Sequence, residues 1–196
     1  MNGEWRAQPG EEEAVALIVV SVGTDHHPFD RLIDWLQAWV LENPEVDVVV
    51  QHGTSPEVTG AVCRTMLPHP ELMELFRTAD ACVLQGGPGG VMDARSQGLR
   101  PIVVPRDPTF GEHVDGHQIA FSHHLAERGL AQVVTTETDL LELLDATVAD
   151  RLSWRFTPDL HPAEGVERIT ELLRTPPPAA THRWRGWRHV WGRSDR

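Results

Sequence analysis

The sequence predicts an α/β fold, a doubly wound parallel sheet covered by helices on both faces. Three observations carry that expectation. Short β-branched runs recur along the 196 residues, and a run apolar on both faces reads as a buried parallel strand. Segments with apolar residues at helical spacing alternate with those runs. Glycine-rich or strongly polar stretches follow the strands, where an open parallel sheet places its ligands.

Taken in order, residues 1–13 are polar, with Glu11-Glu12-Glu13, and read as a flexible leader. Residues 14–20 are the first strand, stopped by Ser21-Val22-Gly23-Thr24. Residues 29–41 place Phe29, Leu32, Ile33, Leu36, Trp39 and Val40 on one helical face. Pro28 suits the first turn of that helix, and Asn43-Pro44 ends it. A second buried strand spans 46–50, a weaker one 61–66, and a helix 71–78 stands behind Pro70. Strand 81–84 leads through a glycine-rich turn to helix 91–97. Strand 101–104, helix 114–128 (stopped by Gly129), strand 131–134 and helix 137–149 follow. A last helix, 163–173, precedes Pro176-Pro177-Pro178, a stiff spacer. The folded domain is thus expected over 14–175, with 176–196 as a proline-rich spacer and an Arg/Trp tail.

Composition excludes several chemistries. All 17 basic residues are arginine, so a Walker-A phosphate loop, a pyridoxal phosphate Schiff base and a kinase lysine are ruled out. A formal net charge of −12 argues against a nucleic-acid surface. Cys63 and Cys82 sit in apolar runs, as reduced core thiols do. No signal-peptide pattern opens the chain, and no apolar run approaches the ~18 residues of a spanning helix. A cytoplasmic location is expected.

Three loops carry candidate chemistry. In Ser21-Val22-Gly23-Thr24-Asp25-His26-His27-Pro28-Phe29, a glycine after a strand and a helix amino terminus favour an anion, and a plain structural turn accounts for them equally. Its two histidines lack a third ligand at convincing spacing, so no metal is expected. In Gln85-Gly86-Gly87-Pro88-Gly89-Gly90-Val91-Met92-Asp93, four glycines offer backbone N–H groups to phosphate. Asp93 either accepts ribose hydroxyls there or complements the helix dipole. The dinucleotide pattern G-x-G-x-x-G is absent. The third loop, 105–118, crowds Glu112, His113, Asp115, His117 and Gln118 into seven residues, which reads as functional. Arg106 either pairs with a phosphate or closes locally on Asp107 or Glu112.

Gln51-His52-Gly53-Thr54-Ser55, Gly86-Gly87-Pro88-Gly89-Gly90-Val91-Met92-Asp93-Ala94, residues 98–106 and residues 111–118 together resemble glycosyltransferase family 28, more narrowly its stand-alone C-terminal half. That resemblance implies a Rossmann-like half of a GT-B transferase that binds a UDP-sugar. Asp93 falls on an acidic ribose-binding position, and His117-Gln118 on a polar pair that holds the donor sugar. Gly86, Gly87, Gly89 and Gly90 fall on the loop facing the diphosphate, and Gly23 and Thr24 on the first glycine loop. Gln51, Gly53, Arg106, Glu112 and Asp115 complete the implied substrate-binding set. Two positions depart from the pattern: Gln85 replaces a usual histidine, and Gly90 a usual serine or threonine.

The implied activity is hexosyl transfer, of N-acetylglucosamine or another hexose, from a UDP-sugar to a lipid-linked or polysaccharide acceptor, as in exopolysaccharide synthesis. No cofactor is expected, since dipoles can neutralise the leaving diphosphate and no D-x-D pair is present. His26 and His113 are the candidate bases for the acceptor hydroxyl, with His27 or a partner subunit as alternatives. A membrane-anchored acceptor-binding partner is implied. The tail's alternating arginines and tryptophans, from Arg183 to Trp191, suit contact with anionic headgroups at the inner face of the plasma membrane. A non-catalytic nucleotide-sugar-binding module and a UDP-sugar epimerase are the rival readings.

Overall fold

The computed structural model describes residues 15–149 and 154–158. The expected leader, the last helix, the proline run and the Arg/Trp tail lie outside the described residues. The elements are β1 (Leu17–Ser21), α1 (Asp30–Glu42), β2 (Asp47–Gln51), β3 (Val62–Arg64), α2 (His69–Thr78), β4 (Ala81–Gln85), α3 (Pro88–Ser96), β5 (Ile102–Val104), a 3-10 turn (Pro108–Phe110), α4 (His117–Glu127), β6 (Gln132–Val133) and α5 (Glu137–Ala149). The six strands form one sheet in the order β3-β2-β1-β4-β5-β6, every pair parallel. This is the doubly wound α/β architecture, Rossmann-like, that the alternation predicts.

The strand runs are apolar on both sides because both faces are covered. Ile18, Val20, Val83, Ile102 and Val104 point to a core shared with Leu32, Ile33 and Leu36 of α1 and Leu140 and Leu144 of α5. Their neighbours Val19, Cys82, Leu84 and Val103 point to the other face, against Phe76 of α2, Val91 and Ala94 of α3 and Leu125 of α4. Each fully buried aliphatic side chain contributes about 1.5–3 kcal/mol, so the alternate residues of one strand hold two helical layers at once. Trp39 of α1 donates from Nε1 to Asp145 Oδ1 of α5 at 2.8 Å, which ties the two helices of the first layer. Among the described residues no helix is long and apolar enough to cross a membrane.

Two helix starts differ from the sequence reading by three residues, and both matter for the site. Helix α3 begins at Pro88 rather than at residue 91, so Gly89 and Gly90 are its first turn and not a loop. Proline at the first helical position is pre-set for the helix, which outweighs the roughly 1 kcal/mol that each glycine costs. Helix α4 begins at His117 rather than at 114. The preceding residues are spent on the 3-10 turn, where Asp107 Oδ1 accepts from Thr109 N at 2.8 Å and Gly111 closes it at φ 72°. Asp115 Oδ1 then accepts the His117 backbone N–H at 3.0 Å, an Asx turn one residue ahead of the Gly116 N-cap, which carries no side-chain cap bond.

Candidate functional site

The chain leaves β1 and β4 in opposite directions, so a topological switch point lies between these neighbours. A cleft of about 350 Å³ opens there, at the carboxyl ends of the strands. Gly23 and Thr24 after β1, Gln51 at the end of β2, and Gly87, Gly89, Gly90 and Asp93 after β4 all line it. Seven residues singled out from sequence therefore share one cavity.

Gly23 takes φ 79°, and a Cβ there would stand 2.7 Å from Gln85 Nε2. The same amide crowds Gly87, so Gln85 fills the gap between the two glycine turns. Gln51 is buried and fully engaged: Nε2 donates to Ser21 Oγ and to the Gly23 carbonyl, both at 3.1 Å, and Oε1 accepts from Leu67 N at 3.0 Å. It therefore shapes the floor of the cleft by joining three loops. Helix α3 carries no side-chain cap. Pro88 has no N–H, so the Gly89 and Gly90 amides stand at the helix end without intrahelical partners. A Cβ on Gly89 would meet nothing within 4 Å, and Gly89 lines the cleft.

Asp93 lies on α3, with Oδ2 3.1 Å from His69 Nε2 at the start of α2. Met66, Leu67 and Leu72 add an apolar wall to this end of the cleft. His69, Met66, Leu67 and Leu72 escaped the sequence reading. Residues 61–66 looked like one strand, whereas β3 ends at Arg64 and frees Met66, half exposed, as a loop residue.

Other expected residues lie elsewhere. Arg106 does not reach the cleft, contrary to a phosphate-binding role. Its side chain is fully buried, and its guanidinium donates to the carbonyls of Val22 (2.9 Å), His27 (2.8 Å), Pro28 (3.2 Å) and Glu112 (3.0 Å). Burial lowers the Arg106 pKa, and the charges of Asp25 and Glu112 counter it. Glu112 is also buried; it receives two 2.8 Å hydrogen bonds from Arg31 and one from Asp107 N. Gln118 is buried, with Oε1 accepting from Arg106 N at 3.3 Å. These three side chains hold the β5–α4 loop down rather than lining the cleft. Gly86 packs on α4, where a Cβ would stand 2.7 Å from Ser122 Oγ, and Gly53 serves a turn at φ 60°.

The remaining candidates form a second group on the β1–α1 and β5–α4 loops. His27 Nδ1 is 2.6 Å from Asp25 Oδ1, and His113 Nε2 is 3.4 Å from Asp25 Oδ2. His113 Nδ1 is 3.8 Å from Asp115 Oδ1, and the same oxygen binds His117 Nδ1. The His26 ring stacks on His27 at 4.0 Å, its side chain 83% exposed. Partial burial pushes the Asp25 carboxyl up, but hydrogen bonds from the His27 backbone and ring, with the charges of His27 and Arg106, outweigh it and hold the pKa at about 2. Asp25, invisible as a candidate in sequence, is thus an ionised carboxylate between two imidazoles.

Comparison with known proteins adds a family. The model of the glycosyltransferase family 28 C-terminal domain matches residues 17–172. No curated protein sequence matches. Among solved structures, the glycotransferase of kitacinnamycin is similar at TM-score 0.54 and 19% identity, over 89% of this chain and 42% of its own. CalG4, the calicheamicin glycosyltransferase, is similar at TM-score 0.55 and 19% identity, over 88% and 45%. ALG13 is similar at TM-score 0.52 and 16% identity, over 85% of this chain and 100% of its own. At these identities the likeness is one of fold, and this chain spans less than half the length of the first two.

Proposed function

This chain belongs to the glycosyltransferase family 28 C-terminal domain family, and from that premise we propose that it transfers a hexose from a UDP-sugar. Sugar transfer is the general class of reaction that the family supports. The finer reading rests above all on the uncapped amino terminus of α3, placed at the switch point beside Gly23, with Asp93 of the same helix lining the cleft. In this reading the diphosphate sits against the Gly89 and Gly90 amides, where N–H dipoles stabilise the negative charge that grows on the leaving nucleotide. Asp93 accepts the ribose hydroxyls, giving up its contact with His69. The uracil ring rests on Met66, Leu67 and Leu72. The sugar then extends toward the β5–α4 loop and His117.

The acceptor hydroxyl must lose a proton. His113 turns each ring nitrogen toward a carboxylate, so it is poorly placed to take one. His26, open to solvent, and His117, with Nδ1 on Asp115 and its side chain 53% exposed, are the candidate bases. The proposal includes a separate acceptor-binding subunit, membrane-anchored and at the inner face of the plasma membrane. ALG13, covered over its full length, supports a free-standing unit of this fold.

The test is UDP binding by calorimetry together with transfer from labelled UDP-N-acetylglucosamine to a lipid acceptor, with and without a co-purified partner. Asp93→Ala should weaken UDP binding at least tenfold, about 1.4 kcal/mol. Unchanged affinity would overturn the ribose assignment. Donor binding with no transfer in any partner condition would leave a nucleotide-sugar-binding module instead.

A further inference from the structure

Six side chains converge outside the nucleotide cleft, and the proposed donor chemistry uses few of them. We infer that Asp25, His27 and His113 bind a divalent transition-metal ion, zinc or a close relative, with His26 in reach as a fourth ligand. Mixed imidazole and carboxylate donors are the set such ions prefer.

Asp25 stands at or near ligand spacing from an imidazole on each side. With metal–ligand bonds near 2.0–2.1 Å, neighbouring ligand atoms stand about 3.3 Å apart. His113 Nε2 lies 3.4 Å from Asp25 Oδ2, and the donor atoms of Asp25, His26 and His27 all lie within 4.8 Å of one another. The 2.6 Å contact of His27 Nδ1 with Asp25 Oδ1 is a hydrogen bond. On binding, the ring carries its proton on Nε2, so the Nδ1 lone pair faces the ion, and the ring withdraws by under ~1 Å to reach tetrahedral spacing. Behind His113, the Asp115 backbone N–H donates to Nδ1 at 3.4 Å and fixes the ring from the side away from Asp25.

The frame around the cluster is rigid as well. Arg106 bonds the carbonyls of His27 and Glu112, one from each loop, so the backbones that carry the ligands are joined from below. Side-chain exposures of 27% for Asp25, 24% for His27 and 11% for His113 leave the site sheltered yet open to entry. Metal uptake is read without UDP, so the inference can fail or stand without the donor reading; with His26 on the ion, His117 is the remaining candidate base.

The test titrates the full chain, stripped by chelator, with Zn²⁺ by calorimetry and with Co²⁺ by visible absorption. One equivalent should bind, with the strong visible bands of tetrahedral cobalt. His27→Ala/His113→Ala should lower affinity ~100-fold or more while the circular dichroism stays native. Asp25→Asn, which preserves size, should lower it at least ~10-fold and serves if the double variant fails to fold. His123→Ala/His124→Ala on α4 should bind unchanged, as should a triple alanine variant of His161, His182 and His189. Undiminished binding by either folded cluster variant, loss of binding in the triple variant, or no stoichiometric uptake would overturn the site.

Discussion

Glu112 and Arg31, 81 residues apart in sequence, meet through two parallel hydrogen bonds of 2.8 Å each. The Glu112 side chain is 4% exposed and that of Arg31 16%. Arg31 also donates to the Pro105 carbonyl and packs over Trp35, with its guanidinium carbon 4.7 Å from the ring centroid. The pair anchors the loop before α4 to the first turn of α1.

Breaking one side of such a pair strands a buried charge. Glu112→Ala should therefore destabilise the fold by about 3–5 kcal/mol, read from urea unfolding. A loss below ~1 kcal/mol would mean that the pair behaves as a surface contact.

Arg106 makes a sharper distinction. Arg106→Lys removes the planar fork and leaves several carbonyls under-bonded, at about 1–3 kcal/mol for each that stays unsatisfied. The expected phenotype is a lower Tm, with UDP affinity reduced only as far as the loops loosen. Native stability with abolished UDP binding would return the guanidinium to the cleft.

Gly89 and Gly23 should respond in opposite ways. Gly89→Ala meets no atom within 4 Å and should raise stability by roughly 0.5–1 kcal/mol through helix propensity, while weakening UDP binding. Gly23→Ala forces a side chain into φ 79° against the Gln85 amide and should lower stability by ~1 kcal/mol or more. Equal UDP affinity in folded Gly89→Ala would remove the phosphate from the α3 terminus.

Cys82 supplies a pH dependence. It is buried in β4, and burial pushes its thiol pKa up from the usual value. The folded state holds the proton that the unfolded chain gives up above about pH 8.5, so the stabilisation is complete below that pH and falls as pH rises. Chevron or urea midpoints should drop above pH 9 in the parent and drop less in Cys82→Ala. A thiol reagent should spare Cys82 until the chain unfolds; rapid labelling of both cysteines in the native state would contradict its burial.

The alternation of apolar runs with helical spacing was legible because it follows from burying both faces of each strand. Val19 and Val20 must both be apolar when helices cover each side. The glycines, Asp93 and the polar 112–118 segment were legible as unusual loop chemistry. Their division into cleft, scaffold and histidine cluster was not. Loop 105–118 reads as uniformly functional, yet Arg106, Glu112 and Gln118 turn inward while His117 stays exposed at the helix start. The helix start at Pro88 also stayed hidden, because two glycines argue locally for a loop.

The sequence alone determined the doubly wound parallel sheet, the strand-end loops that flank its switch point, and the absence of lysine chemistry. These depend on composition and on periodicities of two and 3.6, which are local properties of the chain. The tertiary structure decided which polar side chains face a ligand and which hold loops together. Arg31 and Glu112, or Asp25 and His113, are brought within a few ångströms only when β1 and β5 take their places in the sheet. In that buried setting a guanidinium without water must find carbonyls or a carboxylate, so Arg106 became a clamp between loops and the cleft was left to backbone amides.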